Sequence, residues 1–255
     1  MENDPFAIVD EIPRKVMTLF YLVDTSGSMS GAKIGALNTA VRETLPIIKE
    51  ISENNSDSKI KISVLEFSSG CEWMYPAPKE VETFEWRDLQ AGGLTSLGEA
   101  YDNLSQKLSH SHGFMMEATG SFAPVIILLS DGAPTDHPEY ALDKLKSNNW
   151  FKVATKIAIA IGDDCIKQTL IDFTGNEEAV LTVHNVDELK KIIRMVSVLL
   201  LYVMGMVGIL MSEAIKVLVL RPKSLKIKSL ISLNLLLLKS LQVKKCSDSR
   251  SHKRP

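Results

Sequence analysis

Apolar positions along this chain follow two alternating rhythms. Met17-Thr-Leu-Phe-Tyr-Leu-Val23 is short and almost continuously apolar, as in a strand buried on both faces. After a Ser/Gly loop, Ile34, Leu37, Val41, Leu45 and Ile48 recur at steps of three or four and predict one face of a helix. Pro46 falls inside that pattern and predicts a kink in its last turn. Ile60 to Phe67 alternates with period two and predicts a strand, followed by a shorter one around Glu72–Tyr75. Pro76 to Gly93 has little periodicity. Leu97 to Leu108 predicts a helix with Leu97, Ala100, Tyr101 and Leu104 on one side, and Ser109 to Gly120 a polar loop. Pro124–Leu129 has the character of a central parallel strand.

Pro138 suits the first turn of a further helix, with Asp136 and Glu139 near its positive end. Lys156–Ile161 predicts the next strand, Ile166–Phe173 a short helix and Ala179–Val183 a last strand. Asn185-Val-Asp-Glu188 resembles a capping box before a helix carrying Leu189, Ile192, Ile193 and Val196. Strands alternating with helices imply an α/β domain: a Rossmann-like, doubly wound, mostly parallel central sheet with helices on both faces. Such sheets bind ligands at the carboxyl ends of strands, where strand order reverses.

Residues 1–15 read as a polar leader, 16–198 as the domain, and 199–255 as an apolar, then basic, tail outside it. The net charge of -2 conceals this division. From Glu213 onward there are 11 Lys and Arg against 2 Asp and Glu, leaving 18 against 29 in the rest. An acidic body argues against nucleic acid as the ligand and suits a divalent cation. Three cysteines, Cys71, Cys165 and Cys246, form no C-x-x-C pair, which fits reduced thiols rather than a disulfide frame or zinc site. Residues 1–14 show no secretory signal pattern, and a cytoplasmic location is expected.

The candidate chemistry lies in three clusters at predicted strand–helix junctions. They are Asp24-Thr-Ser26-Gly-Ser28, Gly92-Gly93-Leu-Thr95-Ser96 and Ser130-Asp131-Gly132. Together they offer hydroxyls and carboxylates, hard donors that select Mg²⁺, Mn²⁺ or Ca²⁺. In an extended turn, Asp24, Ser26 and Ser28 can point the same way and converge on one ion. Any one cluster could equally be an ordinary turn or cap; three at one sheet edge favour a metal.

Asp24-Thr-Ser-Gly-Ser28, with Thr95 and Asp131 downstream, resembles the metal-ion-dependent adhesion site (MIDAS) of von Willebrand factor type A (VWA) domains. Leu22–Met29, Thr95-Ser-Leu-Gly98 and Leu129–Thr135 are most similar to the bacterial TerY-like branch, associated with tellurite resistance and stress response. The resemblance covers about residues 15–198. It implies that Ser26 and Ser28 ligate one metal directly, Thr95 directly or through water, and Asp24 and Asp131 mainly through water. One coordination position is left for an Asp or Glu carboxylate of a protein partner. Leu94 separates Gly93 from Thr95 where many relatives read Gly-Gly-Thr, so Thr95 or Ser96 could serve; Thr95 is preferred.

Catalysis is not expected. A strand ending in Asp24 is similar to haloacid-dehalogenase-type phosphotransferases, but their second aspartate is Ser26 here, and no Ser-His-Asp or Cys-His pairing is legible. His110 and His112 read as solvated loop residues, Asp163 and Asp164 as helix caps, Trp73 and Trp86 as core. Met195 to Ser212 is 18 residues without charge, the lower limit of a membrane span. A membrane-anchored adhesin is therefore the alternative to a cytoplasmic binding module, which is favoured.

Overall fold

A computed structural model of the chain describes residues 14–55, 58–116, 120–162 and 165–193. The leader up to residue 13, Asp163, Asp164, Val196 and the whole of 199–255, with the apolar stretch 195–212, lie outside the described residues. Among the described residues no helix is long and apolar enough to cross a membrane.

Every predicted strand within these residues forms. β1 (Lys15–Asp24), β2 (Ser58–Phe67), β5 (Val125–Ser130), β6 (Thr155–Ile161) and β7 (Val180–Val183) are parallel; the short β3 (Cys71–Trp73) and β4 (Lys79–Glu80) are antiparallel to β2. The order is β3-β2-β1-β5-β6-β7, with β4 also pairing β2. β4 arises inside the segment predicted to be aperiodic: at two residues it is too short to show a period.

The continuous apolar character of β1 follows from burial on both sides. Met17, Leu19, Tyr21 and Val23 enter one core, Phe20 and Leu22 the other. The first core is closed by α1 (Ala32–Glu53) and by helical residues 186–193. The second is closed by α2 (Leu97–Lys107), α3 (Glu139–Ser147), α4 (Asn149–Val153) and α5 (Lys167–Thr174). Trp73 and Trp86 pack against the two cores as expected, one against each.

α1 continues through Pro46 to Glu53, so the proline lies about two turns before its end rather than in its last turn. Pro46 removes one backbone bond, to the carbonyl of Arg42. Both residues are exposed, so water can serve that carbonyl, and Ile48 and Ile51 continue the buried face. α4 has no legible period at five residues; Asn148 Oδ1 caps it, accepting from the amides of Trp150 and Phe151 at 2.8 and 3.3 Å. At residues 185–188, the Asn185 side chain accepts from the Glu188 amide at 2.9 Å, while Glu188 accepts from His184 rather than Asn185.

Strand order reverses beside β1. After β1 the chain crosses to β2 on one side; after β2 it returns to β5 on the other. The carboxyl ends of β1 and β5, where Asp24 and Asp131 stand, therefore flank the switch point at which an open α/β sheet binds ligands.

Candidate functional site

The three clusters lie on loops that are hydrogen-bonded to one another. Loop one follows β1. Its Thr25 amide donates to the Phe67 carbonyl at 2.9 Å, anchoring the turn to β2. The Ser26 amide donates to Asp24 Oδ1 at 2.8 Å, an Asx turn that curls the loop over its own carboxylate. Gly27 to Met29 form one 3-10 turn, which brings Ser26 Oγ within 3.0 Å of Ser28 Oγ. Loop two joins loop one through backbone bonds from the Gly27 amide to the Gly93 carbonyl, 3.1 Å, and from the Gly92 amide to the Thr25 carbonyl, 2.7 Å.

Loop three joins loop one from below. Ser130 Oγ donates to Asp24 Oδ2 at 2.6 Å and accepts from the Gly132 amide at 2.9 Å. Asp131 follows directly; its Oδ1 accepts from the Ala133 amide at 3.3 Å and its carbonyl from the Ile166 amide at 2.9 Å. Asp24, Ser26, Thr95 and Asp131 are all buried, and Ser28 is exposed. The site opens toward solvent at Ser28 and at Gly92–Leu94.

Burial pushes the Asp24 carboxyl above the usual carboxylate range, with the charge of Asp131 adding to the rise and the bonds from Ser130 and Ser26 opposing it. Two carboxylates at one buried edge have no cationic side chain bonded to them among the described residues. A cation at this edge would balance their charge. Both Asp24 oxygens already accept a hydrogen bond, which suits a carboxylate acting on an ion through water. The hydroxyl pair fits the ion as well. Neighbouring ligands on an octahedral ion with bonds of 2.0–2.1 Å stand about 2.8–3.0 Å apart, the separation of Ser26 Oγ and Ser28 Oγ.

Among the described residues no three His, Cys, Asp or Glu are grouped to hold a metal, so any ion here must depend on hydroxyls. His110 and His112 are exposed loop residues; His110 stacks on Trp150. Cys71 and Cys165 are free thiols. Burial, with the Glu99 and Asp136 charges adding to it, pushes the Cys71 thiol up to about 12. At pH 8 it is a protonated, poor nucleophile. Iodoacetamide labelling of Cys71, read by peptide mass spectrometry, should run on the order of a hundredfold slower in the folded chain than in urea. Equal rates would mean that the site is open.

Three polar residues escaped the sequence reading. Ser130 was visible in the third cluster, but its bond to Asp24 needs the β1–β5 register, in which Val23 faces Leu129. Thr135 pairs with Thr95: its amide donates to the Thr95 carbonyl at 2.9 Å and its hydroxyl accepts from the Thr95 amide at 3.0 Å. Asp136 stands before α3 as expected, but the sequence did not show its main bonds: its carboxylate accepts from the Leu97 and Gly98 amides, at 3.2 and 2.8 Å, and caps α2. Ser96, in the N-cap position of α2, makes no side-chain cap bond.

A family model for the von Willebrand factor type A domain matches residues 19–195. Over 140 residues the chain is 29% identical to the collagen alpha-6(VI) chain of Mus musculus, an alignment covering 53% of this chain and 6% of that one. Among solved structures it is similar to proximal thread matrix protein 1 of the mussel byssus with a zinc-occupied MIDAS motif, at TM-score 0.55 and 21% identity, over 72% of this chain and 47% of that one. It is also similar to the von Willebrand factor type A protein from Catenulispora acidiphila, at TM-score 0.52 and 16% identity over 72% and 42% of the two chains. The pilus adhesin SpaC from Lactobacillus rhamnosus GG follows at TM-score 0.53 and 15% identity, over 70% and 29%. The chain thus spans less than half the length of these relatives, and at such identities the structures speak for the fold alone. With the family model spanning β1 through the last helix, the chain belongs to the von Willebrand factor type A domain family.

Proposed function

We propose that the protein is a metal-dependent protein-binding module and not an enzyme. Ser26, Ser28 and Thr95 hold one Mg²⁺ (or Mn²⁺ or Ca²⁺), with Asp24 and Asp131 acting mainly through water, and an Asp or Glu of a partner protein completes the shell. The observation that carries this reading is the Ser26–Ser28 hydroxyl pair, 3.0 Å apart beside the buried Asp24 carboxylate. Neutral hydroxyl ligands leave the ion strongly electrophilic, so it favours an anionic ligand. The mussel thread protein, similar in fold and with a zinc-occupied MIDAS motif, supports a divalent ion as the ligand.

The finer reading places the chain in the TerY-like branch, in a bacterial cytoplasmic stress-response or tellurite-resistance system. It rests on the phrases Leu22–Met29, Thr95–Gly98 and Leu129–Thr135. The domain boundaries proposed are 16–198, with the leader and tail outside.

Calorimetric titration with Mg²⁺ tests the site, and affinity capture in Mg²⁺ against EDTA tests its use. The parent chain is expected to bind one ion, and Ser26→Ala and Ser28→Ala to bind it about tenfold or more weakly. The metal-free melting midpoint should change little for Ser28→Ala, which removes an exposed turn hydroxyl, and by more for Ser26→Ala, whose buried hydroxyl bonds that of Ser28, but by no more than about 1 kcal/mol of stability. A partner retained in Mg²⁺ and released by EDTA fits metal-bridged recognition. Strong unfolding of either metal-free variant would make the loop structural instead.

A further inference from the structure

α2 is capped from the third loop, although a local cap was at hand. Ser96 occupies the N-cap position, where a serine commonly bonds the second or third amide of its helix, yet its side chain makes no such bond. Asp136 takes that role from 38 to 39 residues away, through the Leu97 and Gly98 amides. Its neighbour Thr135 engages the other side of Ser96. The Thr135 amide and hydroxyl both donate to the Thr95 carbonyl, at 2.9 and 3.2 Å, and the hydroxyl accepts from the Thr95 amide at 3.0 Å.

Five hydrogen bonds thus join two consecutive residues of loop three to Thr95, Leu97 and Gly98. Both backbone polar atoms of Thr95 are used, and its hydroxyl is left out of the clamp. Gly98 is part of the same device. A Cβ there would stand 3.0 Å from Asp136 Oδ2 and 3.1 Å from the Pro138 Cα, so a side chain would push the carboxylate away.

We propose that Thr135 and Asp136 are positioning residues that hold the Thr95 backbone so that its hydroxyl is presented to the ion, and so set the affinity of the metal site. The inference rests on the reading of Thr95 as a ligand. Groups that orient a ligand commonly change metal affinity by about tenfold to a hundredfold when removed. A helix cap alone would affect stability and leave the affinity of the folded chain as it was.

The experiment is a calorimetric titration of the full chain with Mn²⁺, alongside metal-free melting. Thr135→Val keeps the shape, removes the hydroxyl and leaves charge untouched; about tenfold weaker Mn²⁺ binding is expected. Thr135→Ser, which restores the hydroxyl, is expected to bind as the parent does. Gly98→Ala, which crowds Asp136 without altering charge, is expected to weaken binding too, and it keeps the test open should Thr135→Val fail to fold. Folded variants that bind Mn²⁺ like the parent would overturn the clamp while leaving the metal site intact. A loss confined to Asp136→Asn would overturn it as well, assigning the effect to the lost charge. A parent that binds no Mn²⁺ would instead overturn the reading of the site.

Discussion

Asp24→Asn is expected to lose Mg²⁺ binding by about a hundredfold, or roughly 2.7 kcal/mol, and to melt higher than the parent without metal. The first effect follows from removing one of the two carboxylates that would balance the ion in the proposed site. The second follows from burial. Asp24 is fully buried, and its carboxyl is pushed above the usual range chiefly by desolvation. A charged group whose native pKa is raised above the unfolded value destabilises the fold at pH values above the native pKa. That cost disappears as the pH falls through the native pKa toward the unfolded one. Removing the charge relieves it at neutral pH. A gain on the order of 1 kcal/mol raises the midpoint of a domain of this size by about 2–4 °C. The advantage of the variant should shrink on acidification, as the parent's Asp24 takes up its proton. Thermal melts in EDTA from pH 7 downward check this. An asparagine variant less stable than the parent at every pH would show that the hydrogen bonds from Ser130 and Ser26 outweigh the burial cost.

Gly132→Ala should unfold the protein far more readily than Gly175→Ala. Both glycines have left-handed backbone, with φ of 72° and 73°. That conformation costs an alanine about 1–2 kcal/mol. Gly175 ends α5 with nothing within 4 Å of an added Cβ, so it should lose only that amount. At Gly132 the added Cβ would lie 2.5 Å from the Ile166 carbonyl oxygen, a backbone atom held in place by the Ile166–Asp131 bond. The total is expected near 3 kcal/mol, about 6–12 °C in melting midpoint. The shift of loop three should also weaken metal binding. Denaturant melts of both variants decide it; equal losses would mean that the loop yields freely around Ile166.

The alternation of strands and helices was legible because each carries its own apolar period, and burial on both faces made β1 and β5 continuous runs. What stayed hidden was short or non-local. β4 and α4 are too brief to show a rhythm. Pro46 was placed near the helix end because the apolar face was followed only to Ile48, whereas Ile51 carries it on toward Glu53. The five ligand candidates were legible from type, spacing and order at strand ends. Their supports were not. Ser130 meets Asp24 only through strand register, and Thr135 meets Thr95 only through the packing of α2 against α3. Asp136 was legible only as a neighbour of α3, because the packing that delivers its carboxylate to the first amides of α2 is tertiary.

The hairpin-like margin of the sheet also governs what the protein can avoid joining. β2 is ten residues long and would end the sheet with a row of open amides and carbonyls, a template for strand addition and aggregation. β3 covers its stretch Leu65–Phe67 and β4 covers Lys61–Ile62, each too short to recruit a further strand. At the opposite margin β7 offers only four residues. Main-chain augmentation, in which a guest peptide extends a sheet, is thus discouraged on both flanks. Among the described residues, neither margin therefore offers crowded copies of the chain a long open strand on which to zip together edge to edge.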